Sequence, residues 1–270
     1  MRFTVVNLDD EDAPRKLDEA FQDTGFAILT GGDIPDPREL RSLGHAFFGG
    51  KTTEEKLRVN GDRGDAGYGN VPYVPLGGEN NAQLLGDFSA PPDALESLTV
   101  RGLNDEAVRE RVARDFPADL GAAMIEYSRR LSPLRERIIP LVESALGSET
   151  GSMGALCRDT LDSVRLGYYP DMSMGENQLR SGAHTDSYGI TLLSLDPIAP
   201  DGLEVLVHEH APSAGNNNNG EKIWLEVPFV PSALILNVGE LLSIWTSRRW
   251  RASVHRVVGR PGARYVFSVL

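Results

Sequence analysis

The sequence predicts an α+β protein with an α-rich first half and a jelly-roll second half. Two textures predict it. Up to Leu146 the apolar residues recur at helical spacing, whereas after Gly151 short β-rich runs follow one another with turn residues between them. A third observation agrees: 28 Gly and 17 Pro in 270 residues allow the frequent turns that an antiparallel sandwich or barrel needs.

Taken in order, Asp12 is placed to cap a first helix, with Pro14 in its first turn and Gly25 as its stop. Leu17, Ala20 and Phe21 fall on one face of it. FAIL at 26–29 suits a short buried strand. Asp36, Pro37 and Glu39 read as an N-cap, a first-turn proline and a capping box for a second helix, which carries Leu40, Leu43 and Phe47 and ends at Gly49-Gly50. Thr52 or Thr53 opens the short TTEEKL turn. Residues 60–92 are rich in Gly, Asn and Pro and show no period, and irregular chain of that length inside a compact domain is usually functional. With Tyr68 and Tyr73, this stretch is the candidate lid.

Helical spacing returns from about Asp115 to Leu146, where Pro133 and Pro140 are expected to kink the helix or divide it. The strands then read DSVRLGYYP, GITLLSLDP, GLEVLVHEH, KIWLEVP, ALILNVG, LLSIWT, SVHRVVG and RYVFSVL. APSAGNNNNGEK is a low-complexity surface loop between two of them. The organisation expected is an N-terminal region over 1–112, and a long helix plus jelly-roll core over 113–270.

Composition limits the function classes. No apolar run approaches the ~20 residues needed to cross a bilayer, and the N-terminus turns acidic without an apolar segment of its own. The single cysteine, Cys157, excludes a disulfide framework and a Cys-based zinc site. A soluble, cytoplasmic protein is expected. The net charge of −12 argues against nucleic acid as a partner. Residues 221–270 nevertheless carry seven Lys/Arg against three Asp/Glu, a basic patch able to attract a small anion.

A transition-metal site would have to come from the five histidines and the carboxylates. His184-Thr185-Asp186 places an imidazole and a carboxylate two residues apart, on one face of a strand or converging at its end. His255 follows 71 residues after His184, in another expected strand. Two His and one carboxylate make the facial triad of non-haem Fe(II), which leaves positions open for substrate and O2. A packed histidine beside a loop aspartate is the plain alternative for the triplet. His208 and His210 form a competing pair without a carboxylate in register, and His45 lies in the second helix.

The flanking residues extend the pattern: LRSGAHTDSYGITLLSLD, GLEVLV, KIWLEVP, ALILNVGELLSIWTS, ASVHRVV and ARYVFSVL occur in one order at strand spacings. GFAIL, the helix ending in AFF, the TTEEK turn, AGYG and FPADLGAAMIEYSRRL followed by VRLGYYP continue it toward the N-terminus. Together they resemble the Fe(II)/2-oxoglutarate dioxygenases, in the branch similar to isopenicillin N synthase.

That resemblance implies a double-stranded β-helix core with His184, Asp186 and His255 as iron ligands. It matches Arg264 to the arginine that pairs with the distal carboxylate of 2-oxoglutarate, and Tyr169 to a tyrosine that assists it. A guanidinium fork suits a carboxylate and stays charged at any working pH. It implies Fe(II), 2-oxoglutarate and O2 as cofactor and co-substrates, with succinate and CO2 as products. No catalytic residue beyond the metal site is implied. Asp186 stands where related halogenases carry Gly or Ala, which favours hydroxylation, desaturation or ring formation on a small molecule of specialised metabolism.

Two departures accompany the match. The family's Arg-x-Ser reads Arg264-Tyr265-Val266, and Ser268 lies about 6–7 Å further along the strand. An Asn that often stands two before Tyr169 is Gly167. These keep a second reading open, a 2-oxoglutarate-independent iron oxidase like isopenicillin N synthase itself. A non-catalytic jelly-roll binding protein is the third. Substrate contacts are expected from Arg165 and Tyr188, and Arg248, Arg249 and Arg251 near His255 admit an anionic substrate.

Overall fold

The computed structural model describes residues 3–61, 71–156, 162–198, 201–208, 221–259 and 264–269. Among the described residues, twelve strands form two sheets. Eight make the larger: β1 (Thr4–Asn7), β2 (Phe26–Thr30), β3 (Tyr73–Val74), β4 (Glu96–Arg101), β5 (Ser163–Tyr169), β7 (Ile190–Leu195), β10 (Leu234–Val238) and β12 (Arg264–Val269). Their spatial order is β1-β2-β10-β7-β12-β5-β4-β3. The smaller sheet runs β6 (Ser181–His184), β11 (His255–Val257), β8 (Leu203–His208) and β9 (Lys222–Glu226). All described pairings are antiparallel except β1 with β2. This is the expected jelly roll.

Strand periodicity divides the core into two layers. In β2, Ala27 and Leu29 point to one side of the large sheet, and Phe26 and Ile28 to the other. On the first side helix α1 (Ala13–Asp23), helix α2 (Arg38–Gly50) and helix α5 (Ala118–Leu146) bury Leu17, Phe21, Phe47 and Met124. On the second side Phe26, Ile28, Leu95 and Tyr169 meet Leu203, Val205 and Val257 of the small sheet. The functional cavity opens within this inner layer. The strands β1, β3 and β4, which periodicity did not reveal in so short a form, join the edges of the same large sheet.

Four local expectations need correction. Helix α5 runs unbroken through Pro133 and Pro140. Both prolines sit on its exposed face two turns apart, as do Arg129 and Glu136, whose carbonyls lose the usual i+4 donor where solvent can replace it. Leu131, Leu134, Ile138 and Val142 meanwhile stay buried on the opposite face.

LLSIWT is not a strand. It forms helix α7 (Glu240–Trp245), because its first N–H groups are drawn to loop carbonyls described below and Ser243 Oγ donates to Trp250 O at 2.7 Å. Asp12 does not cap α1; its carboxylate pairs with Arg15 and Lys16. Asp36 likewise bonds the Arg38 N–H and guanidinium, and α2 starts one residue late. A capping box does form, between Thr52 and Glu55, at the start of helix α3 (Thr53–Leu57).

Candidate metal centre

β6 ends at His184 and β11 begins at His255, and the register sets these two residues directly opposite each other. Their ring centroids are 4.3 Å apart. Asp186 follows two residues beyond β6, and its Oδ1 lies 3.8 Å from the Nε2 atom of each histidine. The three ligand atoms fall within 4.8 Å of one another, the one such group of His, Cys or acidic residues among the described residues.

The hydrogen bonds behind them settle which atoms face inward. His184 Nδ1 lies 2.8 Å from Gly182 O, and His255 Nδ1 lies 3.1 Å from Ser253 O. A carbonyl only accepts, so each Nδ1 carries a proton and each Nε2 is the nitrogen turned toward Asp186. Burial, reinforced by the neighbouring His255, lowers the His184 pKa to about 4. His184 is therefore neutral at pH 7, as a metal ligand must be. Burial would raise the Asp186 carboxyl, but His255, Thr191 and Asn237 outweigh it and hold it below the usual carboxylate range.

Asp186 Oδ2 accepts from Thr191 Oγ1 at 2.6 Å and from Asn237 Nδ2 at 2.7 Å, leaving Oδ1 free toward the histidines. Thr191 and Asn237 are register partners in β7 and β10, and Asn237 pairs in turn with Phe26 of β2. The Phe26 ring meets His255 edge-on at 5.4 Å. One cross-strand row of the large sheet thus supports the centre from behind. Sequence reasoning missed Thr191 and Asn237. A signal existed, since an Asn within the apolar run ALILNVG must be buried and must find a partner.

The loop after Asp186 is fixed by α7. Glu240 N donates to Asp186 O at 2.7 Å, Leu241 N to Tyr188 O at 3.2 Å, and Gly239 N to Gly189 O at 2.8 Å. A Cβ on Gly239 would lie 2.1 Å from Tyr188 O, so only glycine allows this approach.

The three ligands line a cavity of about 1040 Å³ that also reaches Arg165, Tyr169 and Tyr188. Tyr169 is buried in the inner layer. Arg264 is its register partner in β12, although the Arg264 side chain lies outside the described residues. The two departures from the family pattern, Gly167 and Val266, are also register partners, so they fall at one place on the β5–β12 ladder.

Arg165 lines the cavity as half of an ion pair: it donates to Glu79 Oε2 at 2.7 Å and to Thr99 Oγ1 at 3.2 Å, and Ser97 Oγ holds the other Glu79 oxygen. Tyr188 is half-exposed and its hydroxyl accepts from Arg101 Nη1 at 2.6 Å.

Other candidates fall away from the centre. His208 ends β8, His45 is exposed on α2, and His210 lies outside the described residues. Arg248, Arg249 and Arg251 do not line the cavity: Arg249 pairs with Asp18 at 2.6 Å, beside the buried Trp250, and Arg248 approaches Glu240 at 4.0 Å. In the candidate lid, Tyr68 lies outside the described residues. Tyr73 is a core residue, fully buried, whose hydroxyl donates to Glu96 Oε2 at 2.6 Å beside Lys56. From the same stretch Val71, Val74, Glu79 and Leu84 do face the cavity.

Residues 161–269 match the family model of the 2OG-Fe(II) oxygenase superfamily. The chain is similar to gibberellin 20 oxidase 3 of Arabidopsis thaliana, 23% identical over 257 residues, covering 92% of this chain and 60% of that protein. It is similar to the 2-oxoglutarate-dependent dioxygenase thnC of Trichoderma harzianum, 27% identical, over 93% of this chain and 75% of that one. Its fold matches the dioxygenase for auxin oxidation 1 of Arabidopsis thaliana in its 2-oxoglutarate binary complex, with a TM-score of 0.74 at 18% identity, over 99% of this chain and 91% of that one. The chain thus spans under two thirds of the length of the gibberellin oxidase.

Proposed function

We propose that this protein is an Fe(II)/2-oxoglutarate-dependent oxygenase of a small molecule, a reading supported by the match of residues 161–269 to the 2OG-Fe(II) oxygenase family model and by the likeness to a 2-oxoglutarate-dependent dioxygenase along most of the chain. The observation that carries the reading is the convergence of His184 Nε2, His255 Nε2 and Asp186 Oδ1 within 4.8 Å. Two imidazoles and one carboxylate are the donor set of a non-haem Fe(II) site, whose remaining positions take co-substrate and O2. Bound there, Fe(II) would supply the redox chemistry in which O2 and 2-oxoglutarate become succinate and CO2 while a substrate C–H bond is oxidised.

The chain's own part is to bind, orient and exclude water. Thr191 and Asn237 hold the Asp186 carboxylate so that one oxygen stays available. Gly182 O and Ser253 O orient the imidazoles. Arg264 and Tyr169, neighbours on the β5–β12 ladder, would hold the far carboxylate of 2-oxoglutarate. The Gly167–Val266 pair sits beside them on that ladder and removes two polar groups together. The sequence retains Arg264 and Tyr169 beside that pair, and the auxin dioxygenase of similar fold forms a 2-oxoglutarate binary complex. Both support 2-oxoglutarate dependence over the alternative oxidase.

The test is anaerobic titration of the Fe(II)-loaded protein with 2-oxoglutarate, read by the visible charge-transfer band of the chelate. A band is expected in the wild type, weaker in Arg264→Ala and absent in Asp186→Ala. Fe(II) binding without a band would overturn 2-oxoglutarate dependence. Unchanged iron binding and turnover in Asp186→Ala would overturn the whole reading.

A further inference from the structure

Beyond the metal ligands, the cavity wall has an uneven charge balance. Its basic residues are Arg101, Arg111 and Arg165, and its carboxylates are Glu79 and Asp105. Both carboxylates are engaged. Glu79 is paired with Arg165, and Asp105 accepts the Ala107 N–H at 2.8 Å as the N-cap of helix α4 (Glu106–Asp115). Arg165 is thereby neutralised. Arg101 at the end of β4 and Arg111 on α4 have no carboxylate within ion-pair distance among the described residues. Two guanidiniums without an ion-pair partner among the described residues thus line one cavity of a chain of net charge −12.

Arg101 is also held in position. Its Nη1 donates to the Tyr188 hydroxyl at 2.6 Å, and its guanidinium lies 5.5 Å from the centre of the Tyr188 ring. Tyr188 is in turn fixed by the α7 N–H that meets its carbonyl, two residues from the metal ligand Asp186. The phenol accepts from Arg101, so its own proton is free to be donated. A planar fork and a hydroxyl donor at one point form a carboxylate-recognising pair. Val71, Val74, Leu84, Leu95 and Val108 add apolar surface to the same cavity.

We infer that Arg101 and Tyr188, aided by Arg111, form an anion-binding subsite, and that the substrate is a carboxylate-bearing molecule with an apolar body. This deepens the oxygenase reading and rests on it only for calling the bound acid a substrate. Sequence alone put forward Arg165 and Tyr188 for substrate contact; this subsite keeps Tyr188 and adds Arg101, while Arg165 is paired with Glu79.

The test is calorimetric binding to the metal-free full-length chain, so that no acid can bind by ligating a metal. The probes are phenylacetate, 4-phenylbutyrate and decanoate, each against its neutral primary amide. At least one acid is expected to bind about tenfold or more tightly than its amide, the scale of one charge-assisted contact. Arg101→Gln should erase that preference, Arg101→Lys should retain part of it, and Tyr188→Phe should reduce it severalfold.

The subsite is overturned if no acid is preferred to its amide, or if the preference survives in Arg101→Gln and in Arg111→Gln. Should Arg101→Gln weaken acid and amide alike, Arg101→Lys decides: recovery of amide binding without the preference also overturns it. Because no metal is present, failure here leaves the chelate-band result standing, and a missing band leaves this result standing.

Discussion

At the buried end of the cavity each functional side chain is held by backbone or by a buried neighbour, whereas at the open end long side chains hold one another. His184 and His255 are tied to carbonyls two residues away, and Asp186 to a Thr–Asn pair set by strand register. Arg165 instead leans on Glu79, and Arg101 on Tyr188, from elements far apart in sequence. The first arrangement fixes a chemistry. The second can change with few substitutions, because no ladder depends on it.

The strongest way to sharpen this contrast is pH. Burial places the folded-state pKa of His184 at about 4, below the 6.5 of an unfolded chain. The unfolded chain therefore takes up the proton first, so this stability is whole above pH 6.5 and is lost as pH falls toward 4. About 3 kcal/mol is at stake for the metal-free protein. Urea unfolding at pH 7.5 and 4.5 should show that loss, and His184→Asn, which has no proton to gain, should show a smaller one. Equal pH slopes in the two proteins would contradict the buried, neutral imidazole.

Next comes the row behind the metal. Asn237→Ala removes one of two donors to Asp186 and should weaken Fe(II) binding by roughly 10–100-fold, measured anaerobically by competition with a chelator. Retained affinity would mean that Thr191 alone holds the carboxylate.

The smallest effect is expected far from the cavity. Arg248→Ala breaks only an exposed contact with Glu240, so stability should change by less than about 0.5 kcal/mol and acid binding not at all. A tenfold loss of acid affinity would return the basic C-terminal patch to the recognition problem.

The same contrast explains what was legible in the sequence. The candidate metal-binding group was readable because His184 and Asp186 are two residues apart and His255 sits in a strand with its own signature. The jelly roll was readable from alternation and turns. Asn237 and Thr191 were hidden because their partnership exists only in the β7–β10 register. Glu79, Arg101 and Arg111 were hidden because no short-range pattern joins them. The tolerated prolines of α5 and the helix at LLSIWT failed for one reason: packing and loop contacts overrode local preference.

Gly239 carries a consequence for engineering. Because its missing Cβ lets the start of α7 grip the chain from Asp186 to Gly189, the His-x-Asp triplet is not a portable motif by itself. A transplant into another sandwich would need two pieces moved as a unit, the triplet with Thr191 and the Asn237–Leu241 turn that grips it. A donor sequence cut at the triplet would carry the ligands and leave behind what aims them.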